Sequence, residues 1–339
     1  MERHGKIALE EHFVTPALEH CIAPVGWPPD AWRRVIAGLH DVDERLRQMD
    51  ALDIERSVLS LGSDGIQGIA SHERAIATAR EANDALAELV ASRPDRFSGF
   101  AAIPLQDPGA AADELGRAVG ELGFVGALAN GFSELEDGSI AYYDQPEYAP
   151  FWARVAELGV PFYLHPRNPL PAHSRMYEGR PELLGPAWAF GVETGTHALR
   201  LITSGLFDRH PDLQIILGHL GENLPFAIAR LEQRIAHRED VAFERPPRTV
   251  LRENFHLTIS GNYHTASLIG ILLELGADRV LFAADHPFER MEDAARWFDA
   301  LPISPADRAK IAHGNATRLL GPAMNVDRRA ARSILRPDH

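Results

Sequence analysis

Several residue types are scarce in this chain, and each scarcity excludes a class of protein. The 339 residues include a single cysteine, Cys21, so the chain cannot form an internal disulfide. One cysteine also excludes iron–sulfur clusters and zinc modules built from several cysteines. Positive charge is scarce as well, because 34 Lys and Arg stand against 48 Asp and Glu, for a net charge of −14. This balance argues against binding to nucleic acid or to an anionic membrane surface, both of which attract basic patches.

Long apolar runs are also missing. No stretch of about 18 consecutive apolar residues occurs, so the sequence predicts no transmembrane helix. Residues 1–6 lead directly into a strand-like run and not into the apolar core, about 7–15 residues long, of a secretory signal. We therefore predict a cytoplasmic protein. Lysine is limited to Lys6 and Lys310, and the other basic residues are arginines.

The chain does contain a regular alternation of short apolar runs and helical patterns. Eight runs predict strands, and they cover Ile7–Phe13, Ser57–Leu61, Phe97–Ile103, Val125–Asn130, Phe162–Pro166, Gln214–His219, His256–Ser260 and Val280–Asp285. Between them, apolar residues at three- and four-residue spacing predict helices over 72–92, 110–122, 193–207 and 222–237. Eight strand–helix repeats favour a closed (β/α)8 barrel over the alternative, an open doubly wound sheet. No Gly-x-Gly-x-x-Gly follows any strand, so a dinucleotide-binding sheet lacks its fingerprint.

Two segments break this alternation. Residues 21–40 and 168–188 are rich in proline and aromatic residues. We interpret them as loop insertions over the carboxyl-terminal face of the barrel, either as binding loops or as ordinary surface insertions. Asp107-Pro108 and Ser304-Pro305 predict helix starts, each with a capping residue before proline. The domain prediction is a single catalytic domain over residues 1–324, followed by a carboxyl-terminal tail over 325–339.

Polar side chains stand at the ends of four predicted strands, where a (β/α)8 barrel has its active site. Glu10 and His12 are two residues apart in the first strand and point to one face, whereas Glu11 points to the other. His165 ends the fifth strand, and Asp285 ends the eighth. Each could singly be a structural residue, but two imidazoles and two carboxylates together suit zinc, manganese or iron. The sequence therefore predicts a site for one divalent metal.

His219 ends the sixth predicted strand, between Gly218 and Gly221, and Glu222 follows at the predicted start of the next helix. A histidine beside a carboxylate can be held in one tautomer and act as an acid, a base or a charged hydrogen-bond donor. The alternative is that His219 only closes the top of the barrel.

Four segments carry a resemblance to a known family. They read Ala8-Leu-Glu-Glu-His-Phe, Phe162-Tyr-Leu-His-Pro-Arg-Asn-Pro, Ile216-Leu-Gly-His-Leu-Gly-Glu and Asp285-His-Pro-Phe-Glu. They resemble the metal-dependent decarboxylase branch of the amidohydrolase superfamily, which includes the aminocarboxymuconate-semialdehyde decarboxylases. Within this branch they are most similar to the enzymes that act on γ-resorcylate (2,6-dihydroxybenzoate). The similarity extends, in order, from about Gly5 to Leu320.

The resemblance implies a distorted (β/α)8 barrel with one divalent ion, zinc or manganese, and no organic cofactor. It implies reversible, non-oxidative decarboxylation of a small aromatic acid, with 2,6-dihydroxybenzoate giving resorcinol and CO2. It also implies a homodimer or homotetramer, since members of the family often assemble in this way.

The resemblance further implies roles for individual residues. The metal ligands are Glu10, His12, His165 and Asp285. Asp285 also delivers the proton to the substrate ring, and His219 acts as the catalytic histidine with support from Glu222. The substrate contacts are Arg230, His286 and Phe288.

The chain departs from the pattern of that branch at four positions, which are Ala229, Ala283, Ala284 and His286. These departures leave the ring substitution pattern of the substrate open. The fourth predicted strand ends at Asn130, where amidohydrolases with two metals carry a bridging lysine, and this difference favours one metal. Three alternatives remain. A lactonase or amidase of the same superfamily would use the metal to activate water. A hydratase is the second alternative, and the third is a non-catalytic scaffold, which would lack one or more ligands.

Overall fold

The computed structural model describes residues 5–22 and 27–321. The strands of the described part are β1 (Lys6–Phe13), β2 (Ile54–Leu61), β3 (Phe97–Gly99), β4 (Ala101–Ala102), β5 (Ala127–Asn130), β6 (Ser133–Glu134), β7 (Ile140–Ala141), β8 (Phe162–His165), β9 (Ile215–Leu217), β10 (Phe255–Thr258) and β11 (Val280–Leu281). Short β6 and β7 form an antiparallel hairpin outside the barrel. Every predicted strand is therefore confirmed, with shifts of a few residues at its ends.

The other strands form a closed parallel barrel. One run has the order β1-β2-β3, and the other has the order β11-β10-β9-β8-β5-β4. β3 and β4 are two halves of one barrel strand, separated at Phe100, whose N–H donates to Leu59 O (2.9 Å). At the opposite seam, the His12 N–H donates to His286 O at 2.8 Å. The (β/α)8 prediction is confirmed, and the open-sheet alternative is wrong.

Thirteen α-helices occur in the described part: α1 (Pro29–His40), α2 (Val42–Ala51), α3 (His72–Ser92), α4 (Pro108–Gly120), α5 (Ala149–Leu158), α6 (Ala189–Thr203), α7 (Leu206–Arg209), α8 (Leu224–Ile235), α9 (Pro247–Asn254), α10 (Thr265–Leu275), α11 (Met291–Asp299), α12 (Pro305–Ala309) and α13 (Asn315–Leu320). A π-helical turn over Lys310–Gly314 joins α12 to α13. Both predicted caps are present. Asp107 accepts from the N–H groups of Gly109 and Ala110, and Ser304 accepts from that of Asp307.

Three sequence predictions need correction. The segment 21–40 is not irregular throughout, because Trp32, Val35 and Leu39 are spaced to bury one face of α1. The predicted helix over 193–207 is two helices, since Gly205 at φ 74° interrupts it. A Cβ at this glycine would lie only 2.7 Å from Ala242 O.

The third correction concerns the predicted helix over 222–237, which begins at Leu224 after a loop of left-handed residues. The segment 168–188, by contrast, contains only short 3-10 turns, in agreement with its interpretation as a loop insertion. The predicted tail, 325–339, lies outside the described residues. Within the described ranges, no helix has both the length and the apolar character needed to cross a membrane.

The apolar residues form two cores. Strand residues such as Leu9, Val58, Phe100 and Ile216 fill the interior of the barrel. A larger core lies between the strands and the surrounding helices. Strands buried on both faces read as continuous apolar runs, which is why they were visible in the sequence. The barrel thereby holds the carboxyl ends of its strands at one rigid mouth.

Candidate active site

The four predicted metal ligands meet at that mouth. Glu10 and His12 come from β1, His165 ends β8, and Asp285 follows β11. One ligand atom from each lies within 4.8 Å of the others, and all four residues are buried. His12 Nε2 is 3.3 Å from Asp285 Oδ1, and His165 Nε2 is 3.4 Å from Glu10 Oε1. The sequence prediction that these residues come together is thus realised in the fold.

The donor atoms in this cluster fit a cation. Glu10 Oε1, His12 Nε2 and Asp285 Oδ1 are buried and have no hydrogen-bond partner among the described residues. Unpartnered buried oxygens and nitrogens are costly, and a divalent ion would satisfy all three. Ser60 Oγ lies 3.2 Å from His12 Nδ1. With Nδ1 as the donor in that contact, Nε2 is the ring nitrogen left free to bind a metal.

The two oxygens of Glu10 have different surroundings. Oε2 accepts hydrogen bonds from the hydroxyls of Tyr163, Thr258 and Ser260, whereas Oε1 faces His165. Burial raises the pKa of Glu10, and the charge of His219 opposes that rise. A bound cation would oppose it further, because it favours the ionised carboxylate.

His219 lies against the cluster and is held by Glu222. Its Nδ1 is 2.6 Å from Glu222 Oε1, and its Nε2 is 3.7 Å from both Asp285 Oδ2 and Glu10 Oε1. Burial would lower the pKa of His219, but the charges of Glu222 and Glu10 outweigh burial and raise it well above its usual value. The raised pKa makes His219 a charged donor at neutral pH, with its Nε2 on the side of Asp285.

The backbone around His219 explains the correction at Glu222. All five residues from His219 to Asn223 have positive φ, between 51° and 84°. This left-handed loop delays the helix until Leu224 and turns both His219 and Glu222 toward the mouth. A Cβ at Gly221 would lie 2.8 Å from Leu257 Cδ1, so glycine is required there.

Asp285 also has a left-handed backbone, at φ 64°. Burial would raise the pKa of its carboxyl, but the neighbouring imidazoles of His12 and His219 outweigh burial and lower the pKa. Asp285 is therefore ionised at neutral pH. A proton carried by Asp285 must reach it from a neighbour once a substrate is bound.

A cavity opens from this cluster to solvent. It encloses about 600 Å³ of space between atoms, a figure that includes open solvent at its mouth. Its walls are Trp27, Ser63, Asp64, His165, Pro166, Pro186, Phe190, His219, Asp285, Phe288 and Glu289. Trp27 and Pro186 come from the two segments predicted as loop insertions. Phe288, a predicted substrate contact, lies edge-on to His12 with 5.4 Å between the ring centres.

The other two predicted substrate contacts lie elsewhere. His286 points away from the cavity, behind the barrel wall, where a Cβ on Gly38 of α1 would lie 3.7 Å from its Nε2. Arg230 is exposed on α8, two residues after the buried Ile228. Neither residue is among the cavity walls. Their contacts with a substrate stay predictions.

Sequence reasoning missed several residues that shape the site. Thr258 and Ser260 alternate at the end of a strand, and that period of two was the signal for their common contact with Glu10. Glu289 lies four residues after Asp285 in the last motif. It is half-buried in the cavity wall, and burial, followed by the charge of Asp285, raises its pKa to about 7.

Glu11 supports the site from the side of the strand that faces away from the cluster. As predicted, it faces away from the metal cluster, and its Oε1 accepts from the Ala284 N–H at 2.9 Å. Burial raises its pKa to about 8. Arg45 of α2 is buried nearby and donates to His12 O. Glu11 and Arg45 thus hold the backbone at Ala284, next to Asp285, and at His12, on the two sides of the barrel seam.

Comparison with known proteins places this geometry in a family. The amidohydrolase family matches residues 21–321. The γ-resorcylate decarboxylase of Rhodococcus jostii (strain RHA1) is 55% identical over 324 residues, which cover 93% of this chain and 98% of the relative. A crystal structure of 2,6-dihydroxybenzoate decarboxylase complexed with 2,6-dihydroxybenzoate is 52% identical, with a TM-score of 0.90 over 94% of this chain and 99% of that one.

A second solved structure shows the metal content of a relative. The dihydroxybenzoic acid decarboxylase of Polaromonas sp. JS666 has bound manganese and the inhibitor 2-nitroresorcinol. It is 52% identical, with a TM-score of 0.91 over 94% of this chain and 97% of that one. The chain therefore belongs to the amidohydrolase family, in the branch that contains these decarboxylases.

Proposed function

We propose that this protein is a metal-dependent, non-oxidative decarboxylase that converts 2,6-dihydroxybenzoate to resorcinol and CO2. The observation that carries the proposal is the buried cluster of Glu10, His12, His165 and Asp285 next to the His219–Glu222 pair. Support comes from relatives named for this reaction at more than half identity. The substrate class is a small aromatic acid, in keeping with the ligands of the related structures.

The cluster fits one divalent ion, zinc or manganese. When bound, the ion would supply a Lewis acid for the carboxylate and an ortho hydroxyl of the substrate. The proposal includes no organic cofactor, because the protonated ring itself accepts the electron pair of the broken bond. Lys6 is paired with Asp299 and Lys310 with Asp278, away from the cluster.

Direct loss of CO2 would leave an aryl carbanion, which is very unstable. Protonation of the ring carbon that bears the carboxylate avoids it. We assign this proton to Asp285, because its carboxylate lies in the cavity wall beside the cluster. The carbon–carbon bond then breaks, its electron pair restores the aromatic ring, and CO2 leaves. Each turnover consumes one proton.

His219 is placed to resupply that proton. Its Nε2 lies 3.7 Å from Asp285 Oδ2, and its Nδ1 donates to Glu222 Oε1 at 2.6 Å. The charged imidazole also orients a ring hydroxyl. A group of this kind contributes roughly 10²–10⁴-fold in rate. Phe288 in the cavity wall packs against the ring of the aromatic acid.

The experiment measures CO2 release with product identification on a panel of 2,6-dihydroxybenzoate, salicylate and 2,3-dihydroxybenzoate. Metal content is determined first, and chelator-treated enzyme is the matched control. We expect metal-dependent conversion of 2,6-dihydroxybenzoate to resorcinol. Turnover of only another acid would keep the reaction class and change the substrate. If metal-loaded enzyme releases no CO2 from any acid, the decarboxylase proposal is wrong and a lactone and amide panel follows.

We further infer a homodimer or homotetramer in the cytoplasm. The assembly is supported by exposed apolar side chains on neighbouring helices, with Phe226 on α8 61% exposed and Leu273 on α10 83% exposed. Exposed apolar patches on a folded surface are typical of protein interfaces.

A further inference from the structure

Glu289 is a cavity residue for which neither the metal cluster nor the proton path has a role. The cavity walls around it are largely apolar and include Trp27, Pro186, Phe190 and Phe288. Its N–H donates to Asp285 O at 2.9 Å, which fixes its backbone beside the predicted proton donor. Its side chain is nevertheless free to face the ring of a bound acid.

Glu289 lies on the His219 side of the cavity. A Cβ on Gly261 would lie 2.9 Å from His219 Cδ2 and 3.8 Å from Glu289 Cγ, so these two side chains flank the same glycine. This placement puts a carboxyl group next to the imidazole that, in the proposed mechanism, orients a ring hydroxyl.

Two acidic wall residues, Asp64 and Glu289, lie outside the metal cluster, and Asp64 differs from Glu289 because it already has partners. Its carboxylate accepts from Ser63 Oγ at 3.3 Å and lies 3.7 Å from Arg167 Nη2. In the described part of the chain, the Glu289 carboxyl has no side-chain hydrogen bond or ion pair. A half-buried carboxyl group without a partner is costly once a ligand displaces water, unless the ligand supplies a donor.

A phenolic hydroxyl is such a donor. A ring that presents a hydroxyl to Glu289 replaces the lost water, whereas a ring without one leaves the carboxyl unsatisfied and close to the negative charge of the substrate. Sites built in this way reject analogues that lack the hydroxyl.

We propose that Glu289 is a specificity-determining residue that accepts a hydrogen bond from a second ring hydroxyl and selects dihydroxybenzoates over monohydroxybenzoates. This second hydroxyl is additional to the ortho hydroxyl assigned to the metal site. The inference rests on the proposed function.

The test compares kcat/KM for 2,6-dihydroxybenzoate with that for salicylate, which lacks the second hydroxyl. In Glu289→Ala, we expect the ratio to fall about 10- to 100-fold, mainly through a higher KM for the dihydroxy acid, as expected for the loss of a hydrogen bond that leaves a buried donor unsatisfied. Glu289→Gln retains an acceptor oxygen and should lose less. If salicylate turns over too slowly, its inhibition constant replaces kcat/KM.

Glu292→Ala is the matched control, since Glu292 pairs with Arg290 and Arg296 at the surface. It should leave the ratio unchanged, and metal content should be equal in all variants. An unchanged ratio in Glu289→Ala, or an equal loss for both acids, would overturn the inference. If wild-type enzyme releases no CO2, the proposed function fails by itself. In that case, the ratio of the dissociation constants of 2,6-dihydroxybenzoate and salicylate is compared between wild type and Glu289→Ala and tests the role of Glu289 separately.

Discussion

At the scale of single residues, the metal cluster depends on the different surroundings of the two carboxylate oxygens of Glu10. Three hydroxyls satisfy Oε2, and this leaves Oε1 toward the open side of the cluster. The carboxylate is thereby oriented before any ion arrives. Preorientation reduces the conformational entropy that metal binding would otherwise have to overcome.

Replacement of two cluster residues separates metal binding from proton transfer. We expect His165→Ala to lose the metal, because it removes a neutral ligand from a buried set. Asp285→Asn should retain part of the metal but lose turnover by at least about 10²-fold, since an amide cannot deliver the proton. Metal per chain by elemental analysis and CO2 release are the two measurements. Near-normal turnover of Asp285→Asn would remove Asp285 from the proton path.

His197 provides a prediction about pH. It is buried in α6, its Nε2 accepts from the Tyr143 N–H, and burial lowers its pKa to about 3. Because the unfolded imidazole has a pKa of about 6.5, the unfolded chain binds a proton between these values that the folded chain does not. Stability is therefore lost as pH falls from 6.5 toward 3.

We expect His197→Gln to lack this part of the acid dependence. The difference in the free energy of unfolding between wild type and variant should shrink by about 2 kcal/mol from pH 7.5 to pH 5. Urea unfolding at the two pH values measures it. All other titrating groups are common to both proteins, so parallel pH curves would contradict the lowered pKa.

At the scale of elements, the loop from His219 to Asn223 shows tertiary contacts overriding local helix propensity. Its sequence extends the apolar pattern of the following helix, which predicts a helix from Glu222. The fold instead keeps these residues left-handed, which costs about 1–3 kcal/mol for each non-glycine residue. Contacts of His219 with Glu222, and of the Leu220 N–H with Thr258 O, offset part of that cost.

The cap of α4 permits a simpler prediction. Asp107 accepts from the N–H groups of Gly109 and Ala110 at 2.9 and 3.0 Å. Asp107→Ala should destabilise the protein by about 1 kcal/mol, because the first turn loses its acceptor. Asp113→Ala, at an exposed position inside α4, is the control and should change stability by less than about 0.5 kcal/mol. Equal urea midpoints for the two variants would refute the capping role.

At the scale of the whole molecule, the barrel seam connects fold and site. Its backbone bond from His12 to His286 is reinforced by Glu11, which holds Ala284, and by Arg45, which holds His12 O. The contacts of His12 with His286 and of Glu11 with Ala284 join residues at opposite ends of the chain. The metal ligands on β1 and after β11 are therefore in place only once the barrel has closed.

The proposed assembly has its own test at this scale. Leu273 on α10 is the most exposed large apolar side chain in the described part. Gly270 lies on the same helix, and Phe226 of α8 packs against it. Leu273→Arg should shift the protein toward monomers in light scattering coupled to gel filtration, because burying a new charge at an interface is costly. Glu274, next to Leu273, is a poor control position because it is paired with Arg248. The control is therefore a substitution of the exposed Glu239, which should leave the assembly unchanged. A monomeric wild type would refute the oligomer.

By itself, the sequence determined the eight strands, the barrel and the four-residue cluster. Fully buried parallel strands leave apolar runs that can be read directly, and strand ends in a barrel converge whatever the helices do. The motifs at those ends, from Glu10 to Asp285, were therefore sufficient to predict a metal site. They also carried the resemblance that the relatives confirm.

Only the tertiary structure decided where neighbouring side chains face. His286 and Glu289 belong to one short motif, yet one lies behind the barrel and the other lines the cavity. Arg230 lies outside the cavity, and Glu222 precedes its helix. These outcomes depend on left-handed residues such as Asp285, whose conformation is imposed by long-range contacts at the barrel mouth. Local letters do not encode such contacts, because their energy comes from residues far away in the chain.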